Sequence, residues 1–413
     1  MIRFNETKLG KQCEFILGGT PKTSNQEYWN GSIPWVSVVD FKDNKYVSST
    51  EKTITSKGLN ESNTKLLKVN DIIISARGTV GKIVVCKIPV TFNQSCYALR
   101  SNSENLNQEY LYYLMKYKVN ELRKKAIGGV FDTIVKDTLN DLDIALPSID
   151  YQKKITSVLS TYDKLIENNT RRIEILEEMA QRIYKDWFVD FKYPGHENDE
   201  LEDSELGMIP QGWEISNIKD VVNKVVLGGT PARKNKKFWN GKIPWIKSGK
   251  LNDLRVLEGT EYITELGLEK SATKLMPPRT VLISITGAII ISLSEIELCA
   301  NQSVIGLYDS SILSQEYIYL NQQINIHQYT SKMSGSAQQH INKDIVQNTK
   351  ILVPRINILN DFDKLIKPLF NQISSLLFKN KNLTSTRDYL LPKLISGKVD
   401  VSDLDIDTSI LDE

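Results

Sequence analysis

The sequence predicts an α+β protein: two pseudo-symmetric α+β globular units separated by two long antiparallel helices forming a coiled coil. Three observations predict it. A block of eighteen residues returns 210 positions downstream with eleven identities. Each copy holds short β-rich runs between Gly, Pro and Asn turns. Each copy then closes on an amphipathic stretch of about forty residues with helical spacing.

Internal repetition sets the architecture, so it comes first. Residues 18–35 read GGTPKTSNQEYWNGSIPW and residues 228–245 read GGTPARKNKKFWNGKIPW. The echo continues with small deletions: Thr64-Lys65-Leu66 returns as Thr273-Lys274-Leu275, and Asn93-Gln94-Ser95 as Asn301-Gln302-Ser303. Lys136-Asp137 and Pro147 return as Lys343-Asp344 and Pro354. Inside the copies, Asp71–Ser75, Lys82–Cys86 and Val281–Ser284 read as strands, and Gln108–Lys125 as a helix.

After Pro147 the apolar residues Ile155, Val158, Tyr162, Leu165, Ile173, Leu176, Met179 and Ile183 keep a 3-and-4 spacing. After Pro354 the same spacing runs Phe362, Leu365, Leu369, Ile373, Leu376, Leu383, Leu390, Leu394. Asp150 and Asn357 are expected as N-caps; Pro194-Gly195 and Gly397 are expected to end the helices. A lone amphipathic helix of that length cannot hide its stripe, so the two are expected to pair. Antiparallel pairing predicts a pseudo-two-fold axis relating the copies. The expected division is 1–147, a long helix in 148–193, an acidic linker at 194–212, 213–353, a second long helix in 354–400, and an acidic tail at 401–413.

Composition narrows the function classes. The chain has 413 residues, is 40% hydrophobic and 25% charged, and carries a net charge of +2. That small total conceals a pattern. Residues 1–150 hold 20 Lys+Arg against 16 Asp+Glu, and 211–354 hold 16 against 12, whereas 151–210 hold 8 against 13. Mildly basic bodies alternate with acidic or neutral segments, a weak nucleic-acid signal by itself. No stretch approaches the roughly 18 apolar residues of a membrane span, and the first residues lack the apolar core of a signal peptide. No membrane partner and a cytoplasmic location are therefore expected. Cys13, Cys86, Cys96 and Cys299 show no paired spacing and only three histidines occur, so buried free thiols are expected rather than disulfides or a metal site.

Taken together, GGTP…W-x-G-x-IPW in both copies, KDWFVDF at 185–191, DSELGMIPQGWE at 203–214 and LLPKLISGKV at 390–399 resemble the specificity (S) subunit of type I restriction–modification systems. The resemblance spans essentially the whole chain. It implies two target-recognition domains, each reading half of a split, asymmetric site in double-stranded DNA. It also implies helical regions that dock two adenine-N6 methyltransferase (M) subunits, with restriction/translocase (R) subunits joining them. S-adenosylmethionine, ATP and Mg are then implied for the partners, and no cofactor for this chain. The helices would act as a ruler between half-sites about one DNA turn apart, roughly 34 Å. A type IIB specificity subunit and a coiled-coil adaptor that binds no DNA are the alternatives.

Catalytic motifs are missing from the sequence. An adenine methyltransferase needs an Asn/Asp-Pro-Pro-aromatic tetrapeptide, but Pro277-Pro278 lies between Met276 and Arg279. Gly78-Thr79-Val80-Gly81-Lys82 has the wrong spacing for a phosphate-binding loop. Three histidines offer little general-base chemistry. The sequence predicts a non-enzymatic chain.

Candidate site residues lie where the copies diverge beside the shared frame. A scaffold reading two different half-sites keeps its frame and varies its loops, although drift of surface loops predicts divergence too. Arg77, in a Gly-rich turn after a strand, is the leading candidate for a base contact, since a guanidinium grips guanine O6 and N7 together. Lys22, Lys82, Arg233, Lys234, Lys236, Lys247 and Lys250 are candidates for phosphate or base contacts; each lysine is equally readable as a solvated charge. Ser37 and Ser248 follow the shared Ile-Pro-Trp. Gln338 and Gln339 could read adenine through their amides. Thr20 and Thr230 sit in the Gly-Gly-Thr-Pro turns, where glycine permits positive φ and backbone amides can approach phosphates. Trp29, Trp35, Trp239 and Trp245 are expected in the core. Trp187, Phe188 and Phe191 are candidates for docking a methyltransferase helix, with packing against the second body as the competing reading.

Overall fold

The computed structural model describes residues 2–41, 45–126, 133–251, 254–332 and 340–408. The chain forms two compact units, Met1–Asn168 with Asn380–Glu413, and Asn169–Lys379. Each unit combines one globular body with part of each long helix.

Unit 1 is organised around Ile72–Ser75, a strand buried at every position. It is central in a five-stranded sheet ordered Cys13–Leu17, Cys96–Ser101, Ile72–Ser75, Ile83–Cys86, Tyr46–Val47. Covered faces explain why the strand is uniformly apolar instead of alternating. Ile73, Val84 and Ala98 point to one side, where they pack with Val36 and Phe92. Ile72, Ile74, Val85 and Leu99 point to the other, where they meet Tyr110 and Leu114 of the helix Gln108–Ala126. A three-stranded sheet sets Trp29–Val36 between Lys52–Ile54, antiparallel, and Thr91–Phe92, parallel.

Unit 2 repeats this topology. Its five-stranded sheet runs Lys224–Leu227, Val304–Tyr308, Val281–Ser284, Ile291–Ser294, Arg255–Val256, and Trp239–Ile246 lies between Glu261–Ile263 and Cys299–Ala300. The shared Trp-Asn-Gly forms a bulge in both units. Asn30 and Asn240 take φ of 61° and 62°, and a Cβ on Gly31 or Gly241 would overlap the carbonyl of Ile54 or Ile263.

The long helices are Ile149–Phe188 and Ile356–Ile395, 40 residues each, or about 60 Å at 1.5 Å per residue. Their starts differ from expectation. Asp150 and Asn357 lie one residue inside the helices; Ser148 precedes the first and accepts from the Tyr151 amide through its hydroxyl. The first helix stops at Phe188, short of Pro194-Gly195. Phe191 takes a left-handed φ of 54°, and the Lys192 amide reaches back to the Asp186 carbonyl. The second stops as expected before Gly397, at φ 71°.

Within each unit the helix segments run antiparallel. In unit 1, Ile155 and Leu159 share a core with Leu391, Leu394 and Ile395, and Asp163 meets Arg387. In unit 2, Leu176 packs with Ile373 and Leu376, while Tyr184 and Phe188 pack with Phe362. The expected stripe is only partly the seam: Leu165, Met179 and Leu365 are nearly half exposed, whereas Asp163, Ala180, Tyr184, Ile366 and Phe370 are buried. A straight helix at 3.6 residues per turn drifts off a 3.5 repeat, and the globular bodies cover part of each helix.

The segment expected as an acidic linker is folded onto unit 2. Leu201–Glu202 pairs with Ile209–Pro210, Tyr193 is buried, Asp199 binds Arg355, and Glu205 lies 2.8 Å from Lys350. In unit 1 the carboxy-terminal tail is likewise held: Val401 is buried, and Lys154 donates to the carbonyls of Ser402 and Leu404 at 2.6 and 2.9 Å. All four cysteines are free and buried; burial pushes the Cys13, Cys86 and Cys96 thiols up to about 12. Among the described residues, no helix is long and apolar enough to cross a membrane.

Candidate nucleic-acid interface

In each unit the repeated motifs converge on one edge. Gly18 and Gly19 press against backbone: a Cβ on Gly18 would overlap the Asn93 carbonyl, and one on Gly19 the Thr64 amide. Gly228 and Gly229 stand in the same relation to Asn301 and Thr273. Neither pair has positive φ, so close approach, and not left-handed backbone, requires glycine here. The Trp35 indole N–H donates to the Gly19 carbonyl at 3.1 Å, and that of Trp245 to Gly229 at 2.9 Å. Thr20 donates to the Gln94 side-chain carbonyl, and Thr230 to that of Gln302 at 2.6 Å. Next to Gln94, the Ser95 carbonyl accepts from the Ala76 amide at 2.8 Å; in unit 2 the Ser303 carbonyl accepts from Ile285 at 2.9 Å. These bonds join Thr20 to the turn carrying Arg77, and Thr230 to the turn carrying Thr286.

The side chains mounted on this frame differ. Arg77 is exposed, ahead of Gly78 at φ 74°; its counterpart Thr286 precedes Gly287 at the same φ. Lys22, Lys234, Lys236 and Lys250 are exposed. Lys82 is half-buried, its ammonium 3.3 Å from the Phe41 carbonyl. The Ser37 hydroxyl and amide both donate to Asp40, at 3.0 and 2.7 Å, capping the turn Val38–Asp40. The Ser248 amide donates to the Asn301 side-chain carbonyl at 3.2 Å. Gln338 and Gln339 lie outside the described residues.

Arg233 and Lys247 are already partnered. Trp239 and Trp245 meet edge to face at 5.2 Å, and the Arg233 guanidinium lies 3.8 Å from the first ring centre and 4.8 Å from the second. One carboxylate, Glu261, accepts from both Arg233 and Lys247, the latter at 3.0 Å. Strand register puts Glu261 opposite Trp245, where unit 1 has Lys52 opposite Trp35. The Lys52 ammonium lies 5.9 Å from the Trp29 ring. Of the tryptophans expected in the core, Trp35 and Trp245 are buried, and Trp29 and Trp239 are only half-buried.

The aromatic cluster at the end of the first helix is core. Trp187 and Phe188 are 8% and 5% exposed, packed on Phe362, Tyr317 and Trp213. Phe191 is half-buried against Trp213. The competing reading, packing against the second body, describes Trp187 and Phe188, because a ring sealed in its own unit has little surface left for a partner.

A family model described as the type I restriction modification DNA specificity domain matches residues 1–178 and 210–384. The chain belongs to this family. It is 31% identical to the type I restriction enzyme MjaIX specificity subunit of Methanocaldococcus jannaschii, over 97% of each chain. It is 24% identical to the HindI specificity subunit of Haemophilus influenzae, over 66% of this chain and 72% of that one. Among solved structures, the type I S subunit from M. genitalium has a similar fold, with a TM-score of 0.57 at 16% identity over 95% of this chain and 96% of that one. The specificity subunit is thus a DNA-recognition component of a type I restriction–modification system and not its catalyst. Each matched segment contains one of the two edges.

Two pairs of edge residues were absent from the sequence-based candidates. Gln94 and Gln302 could have been found, since Asn-Gln-Ser recurs. Lys52 and Glu261 could not, because only strand register aligns them.

Proposed function

We propose that each unit reads one half of a bipartite, asymmetric DNA site, with the Gly-Gly-Thr-Pro edge turned to the double helix. The observation that carries this is one hydrogen-bonded frame bearing different exposed or half-buried groups: Arg77 against Thr286, Lys22-Thr23-Ser24 against Ala232-Arg233-Lys234, Ser37 against Lys247, and Lys52 against Glu261. A repeated frame with unlike polar tips suits two different half-sites, since base edges are told apart by the donors and acceptors presented to them. Lys22, Lys82, Lys234, Lys236 and Lys250 would supply phosphate contacts and Arg77 a base contact.

In this reading the long helices dock two methyltransferase subunits, and restriction/translocase subunits join that core. S-adenosylmethionine, ATP and Mg serve those partners. Exposed apolar side chains are the available anchors: Leu165 and Tyr389 in unit 1, and Ile175, Met179 and Leu365 in unit 2. The test is to exchange residues 1–147 or 213–353 for the matching block of another specificity subunit and map methylated adenines in cells. Each exchange is expected to change one half of the target and leave the other. A target unchanged by either exchange would refute the reading.

A further inference from the structure

The charges at the two tryptophan pairs differ in arrangement though not in sum. Unit 1 places one cation there, Lys52, over the Trp29 ring. Unit 2 places two cations, Arg233 and Lys247, on one anion, Glu261. Both groupings carry a net +1, so a protein needing only attraction for phosphate would gain nothing from the second arrangement. What differs is rigidity. A lysine ammonium is a mobile point charge, whereas a guanidinium is a planar fork of fixed donors. The Arg233 guanidinium carbon lies over the Trp239 and Trp245 rings, and its Nη1 is held by Glu261, so three neighbours fix its position. The unit 1 counterparts, Thr23, Ser37 and Lys52, cannot build such a clamp.

We infer that Glu261 is a positioning and specificity-determining residue for the half-site read by unit 2: it fixes Arg233 over Trp239 to read one base pair, and it withholds Arg233 and Lys247 from phosphates of unselected DNA. Guanine is the base this fork suits, through O6 and N7. The carboxyl stays ionised near neutral pH: burial works against its charge, but hydrogen bonds from Lys247 and Arg233 hold it below the usual glutamate range. This inference rests on the proposed DNA-facing edge.

The test uses the subunit assembled with its methyltransferase partner and a duplex library randomised across the target. Glu261→Gln keeps the shape and removes the charge; Arg233→Ala removes the fork. Both are expected to lower discrimination about tenfold at the same single base pair of the unit 2 half-site, leaving the other half-site intact. Glu261→Gln alone is also expected to tighten binding to random duplex and steepen its salt dependence, because two cations are released. A purely structural carboxylate would not share its affected base pair with Arg233→Ala. Lys234→Glu with Lys236→Glu separates the levels. If that double variant weakens binding while Glu261→Gln and Arg233→Ala leave every base preference unchanged, this inference fails and the edge survives. If none of the three alters binding or preference, both fail.

Discussion

The two units share a frame but not their buried ions. In unit 1, Lys45 lies 2.8 Å from Glu109 and 3.7 Å from Asp163, while Asp163 also accepts from Tyr113 and Arg387, each at 2.5 Å. In unit 2, Arg255 binds Glu177 and Glu295, each at 2.8 Å, under the rings of Tyr319 and Phe370. Each network joins a cation of the body to an acid of the first long helix. The positions are not equivalent in the repeat: 207 residues after Asp163 stands Phe370, and strand register matches Arg255 with Tyr46. The hydrogen-bonded edge is therefore the common inheritance, and the fastening of helix to body was solved separately in each unit.

That contrast is sharpest where a buried charge loses its partner. Asp163→Ala takes the acceptor from the Tyr113 hydroxyl and the buried carboxylate from Arg387, leaving Lys45 only Glu109 and Arg387 only Asp388, and is expected to cost about 3–5 kcal/mol in urea unfolding, with the loss confined to unit 1. Glu177→Gln leaves Arg255 its bond to Glu295 and is expected to cost only about 1–2 kcal/mol. Equal losses would mean that the networks are interchangeable. Next in size, Arg77→Ala is expected to relax one base pair of the unit 1 half-site by about 1–3 kcal/mol, read by methylation mapping; relaxation in both halves would erase the contrast between the edges.

The smallest expected effect depends on pH. Burial opposes the Lys45 charge, yet Glu109, Tyr46 and Asp163 hold it above the ordinary lysine value of 10.5. Its contribution is complete below the unfolded value and is lost as pH rises through the folded one. Arg255 stays charged throughout. Unit 1 should therefore loosen at alkaline pH before unit 2, measured by fluorine-labelled Trp29 and Trp35 against Trp239 and Trp245. Simultaneous loosening would contradict the assignment.

Much of this was legible in the sequence. The repeat, the two long helices, the uniformly apolar central strands and the buried thiols all follow from identity, spacing and composition. What escaped depends on contacts between distant segments. The glycines of Gly-Gly-Thr-Pro are required by the backbone of Asn93 and Asn301, which spacing does not reveal. Trp187 and Phe188 look like an exposed anchor at a helix end until Phe362 and Trp213 cover them. Arg233 and Lys247 read as free cations because Glu261, the acid that binds both, lies a strand away.

One replacement tests the central claim, that a common frame carries two separately tuned reading edges. Residues 213–353 are replaced by a second copy of 1–147, and methylated adenines are mapped in cells carrying the methyltransferase partner. The account predicts a new target whose two halves carry the same base preference, that of unit 1. An unchanged asymmetric target, or two halves that still differ, would contradict it.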